Sequence, residues 1–355
     1  MKKELWKGNE AIAEAAIRAG CDCFFGYPIT PQNEIPEYMS LNLPKAGGVF
    51  VQSESEVAAI NMVYGAAASG KRAMTSSSSP GVSLKQEGIS YLAATELPAV
   101  IVNVMRGGPG LGSIQPSQAD YYQATRGGGN GDYRTIVLAP CNIQEAVDLT
   151  QEAFDLADYY RTPVVVLADG MIGQMMEPIC WNPTPKRELP EKNWAASGRR
   201  GRSHNNFLTS LLIDAPDCEA HNLRLQEKLA RIEANEIRWQ EYKTEDCELL
   251  LVAYGTPARI SMTAVDQLRA KGIAAGLFRP VTLWPFPSVP LNHLACQERV
   301  KSVLTVEMSL GQMVDDVRLA VDGRKPVGFY GRSGGSTPTV SEIVKAAEET
   351  LKGGI

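Results

Sequence analysis

The sequence has few of the residues that usually bind metal ions. Its seven cysteines are scattered over 355 residues, and the closest pair, Cys21 and Cys23, is not a ligand set by itself. Because no C-x-x-C pair occurs, we expect neither an iron–sulfur cluster nor a structural zinc in this chain, and we predict reduced, mostly buried thiols. The three histidines, His204, His221 and His293, lie far apart in sequence and beside no candidate nucleophile. We therefore expect neither a catalytic histidine nor a metal site.

The chain also lacks a basic excess and a long hydrophobic run. It has 35 Lys and Arg residues against 40 Asp and Glu residues, a formal net charge of −5. This balance argues against general binding to nucleic acid or to an anionic membrane, since both require a basic surface. No apolar run approaches the ~20 residues of a membrane-spanning helix, and no apolar stretch follows the N-terminus as in a signal peptide. We expect a cytoplasmic protein whose 44% hydrophobic residues form ordinary folded cores.

Several cofactor and catalytic signatures are absent as well. The sequence contains no G-x-x-x-x-G-K-[ST] loop and no G-x-S-x-G nucleophile elbow. The glycine-rich residues 106–112 are not a dinucleotide fingerprint, because no suitable helix follows them. No G-D-G run with a later asparagine occurs, and the nearest approach, A-D-G-M at residues 168–171, lacks the first glycine.

Apolar segments of strand length alternate with helical patterns over residues 11–168. The strongest, P-A-V-I-V-N-V-M at residues 98–105, is nearly continuous in apolar residues, as expected where both faces of a strand are covered. The other predicted strands are residues 21–25, 48–52, 72–75, 135–139 and 163–168. The predicted helices are residues 11–19, 53–69, 85–94 and 143–158. This alternation predicts an α/β fold with a doubly wound parallel sheet and helices on both faces.

The second half of the chain divides into two regions. Residues 178–245 are rich in proline and contain the basic sequence S-G-R-R-G-R, which predicts an extended linker or arm, followed by a charged helix at residues 219–243. Residues 246–355 alternate strands and helices again and predict a second α/β unit. We therefore predict a first domain at residues 1–177, a linker or arm with a charged helix at residues 178–245, and a second domain at residues 246–355.

Glu56 lies where the strand at residues 48–52 gives way to a helix. The spacing by itself favours a capping box, with Ser53 as N-cap and Glu56 reaching back to the backbone. The functional interpretation places Glu56 in a cleft at the carboxyl edge of the sheet, where ligands of such folds bind. A desolvated carboxylate there can hold or pass a proton. The residues alone leave both interpretations open.

Three further segments follow predicted strands. G-Y-P-I-T-P at residues 26–31 forms a stiff turn that can present Thr30 to a ligand. T-S-S-S-S-P-G at residues 75–81 precedes a helix and suits an anion or a polar heterocycle. Plain turns and helix caps explain these two segments equally well. R-G-G-P-G-L-G at residues 106–112 puts Arg106 at the end of a central strand, where its guanidinium can bind a carboxylate or a phosphate.

Together these segments resemble the thiamine diphosphate pyrimidine-domain subunit of the 2-oxoacid:ferredoxin oxidoreductases. The resemblance covers most of the chain, and its most specific part is Y-P-I-T-P followed by the glutamate of E-V-A-A at residues 56–59. It continues through G-N-E-A at residues 8–11, P-G-V-S-L at residues 80–84, R-G-G-P at residues 106–109, G-D-Y at residues 131–133, Y-G at residues 254–255 and G-R-S-G-G at residues 331–335. R-G-G-P-G-L-G followed by I-Q-P-S-Q is most similar to the branched-chain (3-methyl-2-oxobutanoate) type. The 2-oxoglutarate type is the alternative.

The resemblance implies that different subunits hold different parts of the enzyme. It implies that this chain holds a thiamine diphosphate pyrimidine-binding domain and a transketolase C-terminal-like α/β domain. A diphosphate-binding, beta-type subunit is then expected to hold the cofactor's diphosphate and Mg²⁺. Iron–sulfur clusters are expected on partners, which include a gamma-type and a ferredoxin-like subunit. Within the family, electrons pass to ferredoxin and the acyl group passes to coenzyme A.

The resemblance also implies roles for single residues. Glu56 matches the glutamate that hydrogen-bonds the pyrimidine N1′, and Thr30 matches the threonine that lies against the cofactor and the substrate carboxylate. Arg106 is the candidate for holding that carboxylate. The other residues expected to line the cofactor pocket are Tyr27, Pro28, Ile29, Ser79, Pro80 and Gly81. The small residues at 107–112 are expected to leave room for a branched substrate side chain.

Two alternatives remain beside this interpretation. A non-catalytic assembly subunit would keep the fold and bind no cofactor. A stand-alone thiamine-dependent decarboxylase is disfavoured, because the chain has no metal–diphosphate signature of its own.

Overall fold

The computed structural model describes residues 3–182 and 187–353, and this part of the chain contains fifteen strands and twelve α-helices. The strands are β1 (Glu4–Lys7), β2 (Cys23–Gly26), β3 (Val49–Gln52), β4 (Ala73–Ser77), β5 (Ala99–Gly107), β6 (Ser113–Pro116), β7 (Ile136–Leu138), β8 (Pro163–Asp169), β9 (Met176–Ile179), β10 (Trp239–Tyr242), β11 (Leu249–Val252), β12 (Ala275–Pro280), β13 (Thr282–Trp284), β14 (Ser302–Glu307) and β15 (Val327–Gly331). The helices are α1 (Gly8–Arg18), α2 (Glu34–Asn42), α3 (Glu56–Ala68), α4 (Ser79–Ala94), α5 (Tyr121–Thr125), α6 (Ile143–Tyr160), α7 (Gly170–Gln174), α8 (Ala215–Asn235), α9 (Gly255–Ala270), α10 (Ser288–Ala295), α11 (Met313–Val321) and α12 (Val340–Leu351). None of these helices is long and apolar enough to cross a membrane.

The first sheet has the strand order β13-β7-β8-β5-β4-β2-β3, and β6 pairs with the end of β5. Its strands are parallel except for β13 and β6. The central strand β5 is buried along its whole length, as its continuous apolar sequence predicts. The predicted α/β fold with a parallel sheet is confirmed. The chain leaves β2 toward β3 and returns on the other side of β2 as β4, which opens a crevice at the carboxyl ends of these strands.

The second sheet has the order β10-β12-β11-β14-β15, with β10 antiparallel and the other strands parallel. After β12 the chain crosses directly into the first sheet as β13, which pairs with β7. The fully buried Arg279, at the end of β12, pairs with Glu145 of α6 at 2.6 Å. The two sheets are therefore tied by the backbone as well as by side chains.

Two side chains join the two sheets at a seam beside the crevice. The Gln118 side chain donates to the Tyr254 carbonyl at 2.9 Å and accepts from the Met308 amide at 3.0 Å. The Asp169 carboxylate accepts from the Thr256 amide at 3.0 Å and from the Thr256 hydroxyl at 2.8 Å. All of these groups are buried, so each hydrogen bond satisfies a donor or acceptor that water does not reach.

The charged helix is shorter than predicted. Helix α8 begins at Ala215 and ends at Asn235, whereas the charge pattern predicts residues 219–243. The prediction fails beyond residue 235 because residues 239–242 form strand β10, which pairs with β12. A polar strand at a sheet edge has no alternation of apolar residues, so the sequence pattern did not reveal it. A stripe of buried residues on α8, including Lys228, packs against the first sheet's helices and loops. The division of the chain at residues 177 and 245 stays a prediction.

Candidate functional site

The residues singled out by the sequence come together at the carboxyl edge of the first sheet. Thr30 follows β2, Glu56 follows β3, residues 77–81 follow β4, and Arg106 lies near the end of β5. These four strands are neighbours in the sheet. Parallel strands present their carboxyl ends on one edge, so segments distant in sequence share one cleft.

Glu56 is not a helix cap. Ser55 is the N-cap of α3, and its hydroxyl accepts from the Ala58 amide at 3.2 Å. Glu56 is the first helical residue, and its side chain is buried at 6% exposure. Its carboxylate makes no hydrogen bond within the described part of the chain. The capping box with Ser53 is therefore wrong, because the cap falls two residues later, at Ser55.

The start of α4 lies against this carboxylate. A Cβ placed on Gly81 would collide with the Ser77 hydroxyl and would stand 2.6 Å from Glu56 Oε1. The hydroxyls of Ser77 and Ser78 are buried and have no hydrogen-bond partner among the described residues. The Glu56 carboxylate and the Ser77 hydroxyl therefore lie on either side of the space that a side chain at Gly81 would fill, and buried hydroxyls without partners are unusual.

Lys85 lies one helical turn beyond Gly81 and is fully buried. Its amine donates to the Thr75 hydroxyl at 2.6 Å and to the Ser76 carbonyl at 3.2 Å. Burial lowers the pKa of Lys85 to about 7, while the negative charge of Glu56 acts in the opposite direction. The sequence analysis missed this residue. Its signal is its place among Val82, Ile89 and Leu92, where a lysine interrupts the apolar face of a helix.

Arg106 and Thr30 are directly connected. The Arg106 guanidinium donates to the Thr30 carbonyl and to the Leu111 carbonyl, both at 2.9 Å. Arg106 is buried at 7% exposure, its Nε has no partner among the described residues, and it forms no ion pair there. The guanidinium thus fastens the loop at residues 26–31 to the loop at residues 107–112. It also keeps an uncompensated positive charge beside Thr30.

Ser79 has a different environment from the one predicted for a cofactor-binding residue. Its hydroxyl donates to Asp120 Oδ2 at 2.6 Å and accepts from the Arg106 amide at 3.0 Å. Asn103 donates to the same carboxylate oxygen at 2.9 Å. Burial raises the pKa of Asp120, and these two hydrogen bonds oppose that effect. Ser79 therefore supports the backbone of Arg106, and its contact with a cofactor stays a prediction.

The remaining predicted residues lie on the rim. Tyr27, Pro28 and Thr30 are exposed, and Ile29 is half-buried. A cavity of about 360 Å³ opens beside Thr30, between α2, β6 and α7. Its walls include the apolar side chains of Ile114 and Met171, both partly exposed, and no lysine or arginine. Glu34 is the charged residue in its lining.

Gly81→Ala is expected to block ligand entry at Glu56. The added methyl group would meet the Ser77 hydroxyl and Glu56 Oε1, so one of these groups must move. We expect at least about a tenfold loss of affinity for a ligand bound at Glu56, measured by titration calorimetry.

The matched control for this prediction is Gly65→Ala in α3. A Cβ at Gly65 meets nothing within 4 Å, so alanine should leave binding unchanged and stabilise the helix slightly. Equal affinity in the wild type and in Gly81→Ala would contradict the prediction.

Family models match almost the whole chain. The model described as "Pyruvate flavodoxin/ferredoxin oxidoreductase, thiamine diP-bdg" matches residues 14–239, and "Pyruvate:ferredoxin oxidoreductase core domain II" matches residues 247–343. The chain belongs to the pyruvate flavodoxin/ferredoxin oxidoreductase family. The resemblance stated from the sequence motifs is thereby confirmed.

Relatives within the family differ in their sequence identity to this chain. The chain is 52% identical to the ketoisovalerate oxidoreductase subunit VorB of Methanothermobacter marburgensis, over 98% of each chain. It is 40% identical to the 2-oxoglutarate synthase subunit KorA of Methanothermobacter thermautotrophicus, over 95% of this chain and 96% of that one.

Solved structures agree with the fold. A 2-oxoglutarate:ferredoxin oxidoreductase from Magnetococcus marinus, solved with 2-oxoglutarate, coenzyme A and succinyl-CoA bound, superposes with a TM-score of 0.86 at 26% identity. The match covers 99% of this chain and 65% of that chain. A split-gene transketolase superposes with a TM-score of 0.62 at 15% identity over 98% of both chains, which shows the shared fold alone.

The cleft fits the pyrimidine end of thiamine diphosphate. An aminopyrimidine needs a carboxyl at its ring nitrogen and further polar groups at its edge, and the buried Glu56 with the unpartnered hydroxyls of Ser77 and Ser78 would suit these needs. The absence of a side chain at Gly81 leaves room beside them. Among the described residues, no group of three His, Cys, Asp or Glu side chains is placed to hold a metal ion.

Proposed function

We propose that this chain is the pyrimidine-binding subunit of a hetero-oligomeric 2-oxoacid:ferredoxin oxidoreductase. The reaction proposed is oxidative decarboxylation of 3-methyl-2-oxobutanoate to acyl-CoA and CO₂, with electrons passed to ferredoxin. The observation that carries the proposal is the Glu56 side chain at the carboxyl edge of the sheet, which is buried at 6% exposure and has no hydrogen-bond partner in the described chain. The 52% identity to a ketoisovalerate oxidoreductase subunit supports the branched-chain substrate.

In this proposal Glu56 holds a proton at the pyrimidine ring nitrogen. Thiamine diphosphate, when bound, supplies the reactive carbon and the electron sink for decarboxylation. The contribution of Glu56 is to keep one proton in a hydrogen bond with that ring nitrogen, away from bulk water. The diphosphate, Mg²⁺ and iron–sulfur clusters are assigned to partner chains, namely a beta-type, a gamma-type and a ferredoxin-like subunit.

Thr30 and Arg106 are proposed to bind the substrate carboxylate. The guanidinium already fixes the Thr30 backbone, and its positive charge has no carboxylate partner in the described chain. A substrate carboxylate at the exposed Thr30 would provide that partner. The cavity beside Thr30 would then receive the substrate side chain.

The lining of this cavity favours a branched aliphatic side chain over a second carboxylate. Ile114 and Met171 provide apolar contacts, whereas the lining contains no cation to pair with the distal carboxylate of 2-oxoglutarate. Glu34 in the same lining is already paired with Lys7 and accepts from Asn9 at 2.7 Å, so it offers no positive charge to that carboxylate.

The test is a substrate panel on the assembled complex. The chain is co-expressed with its candidate partner subunits, and coenzyme A-dependent dye reduction is measured with 3-methyl-2-oxobutanoate, 2-oxoglutarate, pyruvate and an aryl pyruvate. We expect kcat/KM to be highest with the branched acid. Highest kcat/KM with 2-oxoglutarate would overturn the substrate while keeping the reaction. No turnover with any acid, despite bound cofactor and clusters, would favour a non-catalytic assembly role.

A further inference from the structure

The proposed function leaves one buried charged group unused. Lys85 is 0% exposed, and a lysine is rarely buried in this way unless a charge or hydrogen bonds compensate it. It lies directly beneath the cleft, on the helix whose first turn touches Glu56. Side chains four residues apart on a helix share one face, so Lys85 points to the same side as Gly81.

The contacts of Lys85 are neutral. Its amine donates to the Thr75 hydroxyl and the Ser76 carbonyl, and it forms no ion pair within the described chain. These two acceptors receive two of the three N–H groups of a protonated amine, and neither compensates a positive charge. Glu56 is the titratable group whose charge acts on the amine, and it does so from beyond ion-pair distance.

The Lys85 amine can be either protonated or neutral near neutral pH. Burial lowers the pKa of Lys85 to about 7, with the Glu56 charge opposing the shift. A protonated Lys85 and an ionised Glu56 together have a net charge of zero. A neutral amine and a protonated carboxyl have the same net charge and avoid burying two ions.

We propose that Lys85 is a positioning residue that stores, beneath the cleft, the proton that Glu56 carries once a bound pyrimidine ring faces it. This inference rests on the proposed function. Once water is excluded from the carboxylate, two separated buried charges are costly and the two neutral groups are favourable. In the balance between the two states, the ammonium loses one proton and the carboxyl gains one, so the pair draws no net proton from the solvent.

The role proposed for Lys85 determines how many protons the complex takes up from solvent when it binds the cofactor. Below about pH 7, Lys85 already holds the proton, so the uptake from solvent is near zero. Above that pH the amine is neutral, so Glu56 must take its proton from solvent, and the uptake rises by about one. The step has its midpoint at the pKa of Lys85, about 7.

The experiment is titration calorimetry of the assembled complex, freed of cofactor, with thiamine diphosphate. The titrations are repeated in buffers of different ionisation enthalpy from about pH 6 to about pH 8, which yields the number of protons exchanged. Protons exchanged by the diphosphate and by partner subunits are common to all variants of this chain. Differences between variants therefore report on the Lys85–Glu56 pair.

Three variants separate the outcomes. In Lys85→Met the stored proton is absent, so the uptake should be about one at every pH, without a step. In Lys85→Arg the guanidinium keeps its charge over this range, so the step should also vanish. Lys228→Met is the control, because Lys228 is a buried lysine paired with Glu96 at 3.0 Å, outside the cleft. It should keep the wild-type step.

The possible results separate a failure of the role proposed for Lys85 from a failure of the proposed function. A flat proton uptake in the wild type, or a step retained in Lys85→Met, overturns the role of Lys85. If the variants at residue 85 do not fold, comparison of the wild type with Glu56→Gln decides, because a side chain that cannot take up the proton should remove the step. Absence of thiamine diphosphate binding in the wild-type complex overturns the proposed function itself, which distinguishes the two failures.

Discussion

Replacing Glu56 by glutamine is expected to lower coenzyme A-dependent turnover of the assembled complex by about 10²- to 10⁴-fold, the usual contribution of a positioned proton donor or acceptor. Glutamine keeps the size of the side chain and cannot hold a titratable proton. Folding should be unaffected, because Ser55 rather than Glu56 caps α3 and the carboxylate makes no hydrogen bond within the described residues. The measurement is kcat with the preferred 2-oxoacid together with the thermal midpoint of unfolding.

Glu54→Gln is the matched control for this result. Glu54 precedes Glu56 by two residues in the same strand-to-helix connection, but its side chain is exposed. The same charge is lost and the same amide is gained, so turnover should stay at the wild-type level. Unchanged turnover in Glu56→Gln would contradict the proposed role and would support a non-catalytic subunit.

Replacing Asp169 by alanine is expected to lower the free energy of unfolding by about 3 kcal/mol. The hydrogen bonds to a buried carboxylate are lost, and their donors are left buried without an acceptor. The Asp169 carboxylate caps α7 through the Met171 and Ile172 amides, and it also accepts twice from Thr256 of the second sheet's first helix. Burial raises the pKa of Asp169, while these four hydrogen bonds lower it. The measurement is denaturant unfolding of the purified chain.

A double-mutant cycle with Thr256→Val tests whether the stabilisation crosses the seam. If the contacts between the sheets matter, the two substitutions together should cost less than the sum of their separate effects. Asp169→Asn keeps the size and an acceptor oxygen, so it should lose less than alanine does. Additive effects would assign Asp169 to capping α7 alone.

The seam matters for the cleft because a loop of the second sheet contacts the first sheet beside Arg106. A Cβ on Gly107 would stand 3.0 Å from the Gly334 carbonyl carbon, so the loop at residues 331–335 packs directly on the segment that follows Arg106. Tyr121 and Arg126 of the α5 region bind Asp316 of α11. The position of the Arg106 loop therefore depends on both halves of the molecule.

The apolar segments of the sequence correctly predicted the central strands of the first sheet. Residues 98–105 are nearly continuous in apolar side chains, and the structure has β5 at Ala99–Gly107, buried on both faces. Short polar strands such as β6 and β10 were not anticipated. They lie at edges, where hydrogen bonds to a neighbouring strand rather than an apolar pattern define the strand.

The candidate site was only partly predictable. Thr30, Glu56 and Arg106 stand at strand ends, so their meeting at one edge follows from a parallel sheet. Whether Glu56 capped a helix or faced a cleft could not be decided from its spacing, because Ser53 and Ser55 both offer a hydroxyl at the helix start. The structure assigns the cap to Ser55.

Sequence by itself determined the alternation of buried strands and helices, and its motifs indicated the family, because both are local patterns of side-chain type. Tertiary structure alone decided that Lys85 lies beneath Glu56, that Arg106 holds the Thr30 carbonyl, and that Ser79 binds Asp120. These contacts join residues from different strands and helices. They arise only when the sheet brings those segments together, and burial then changes the charge properties of the groups that meet.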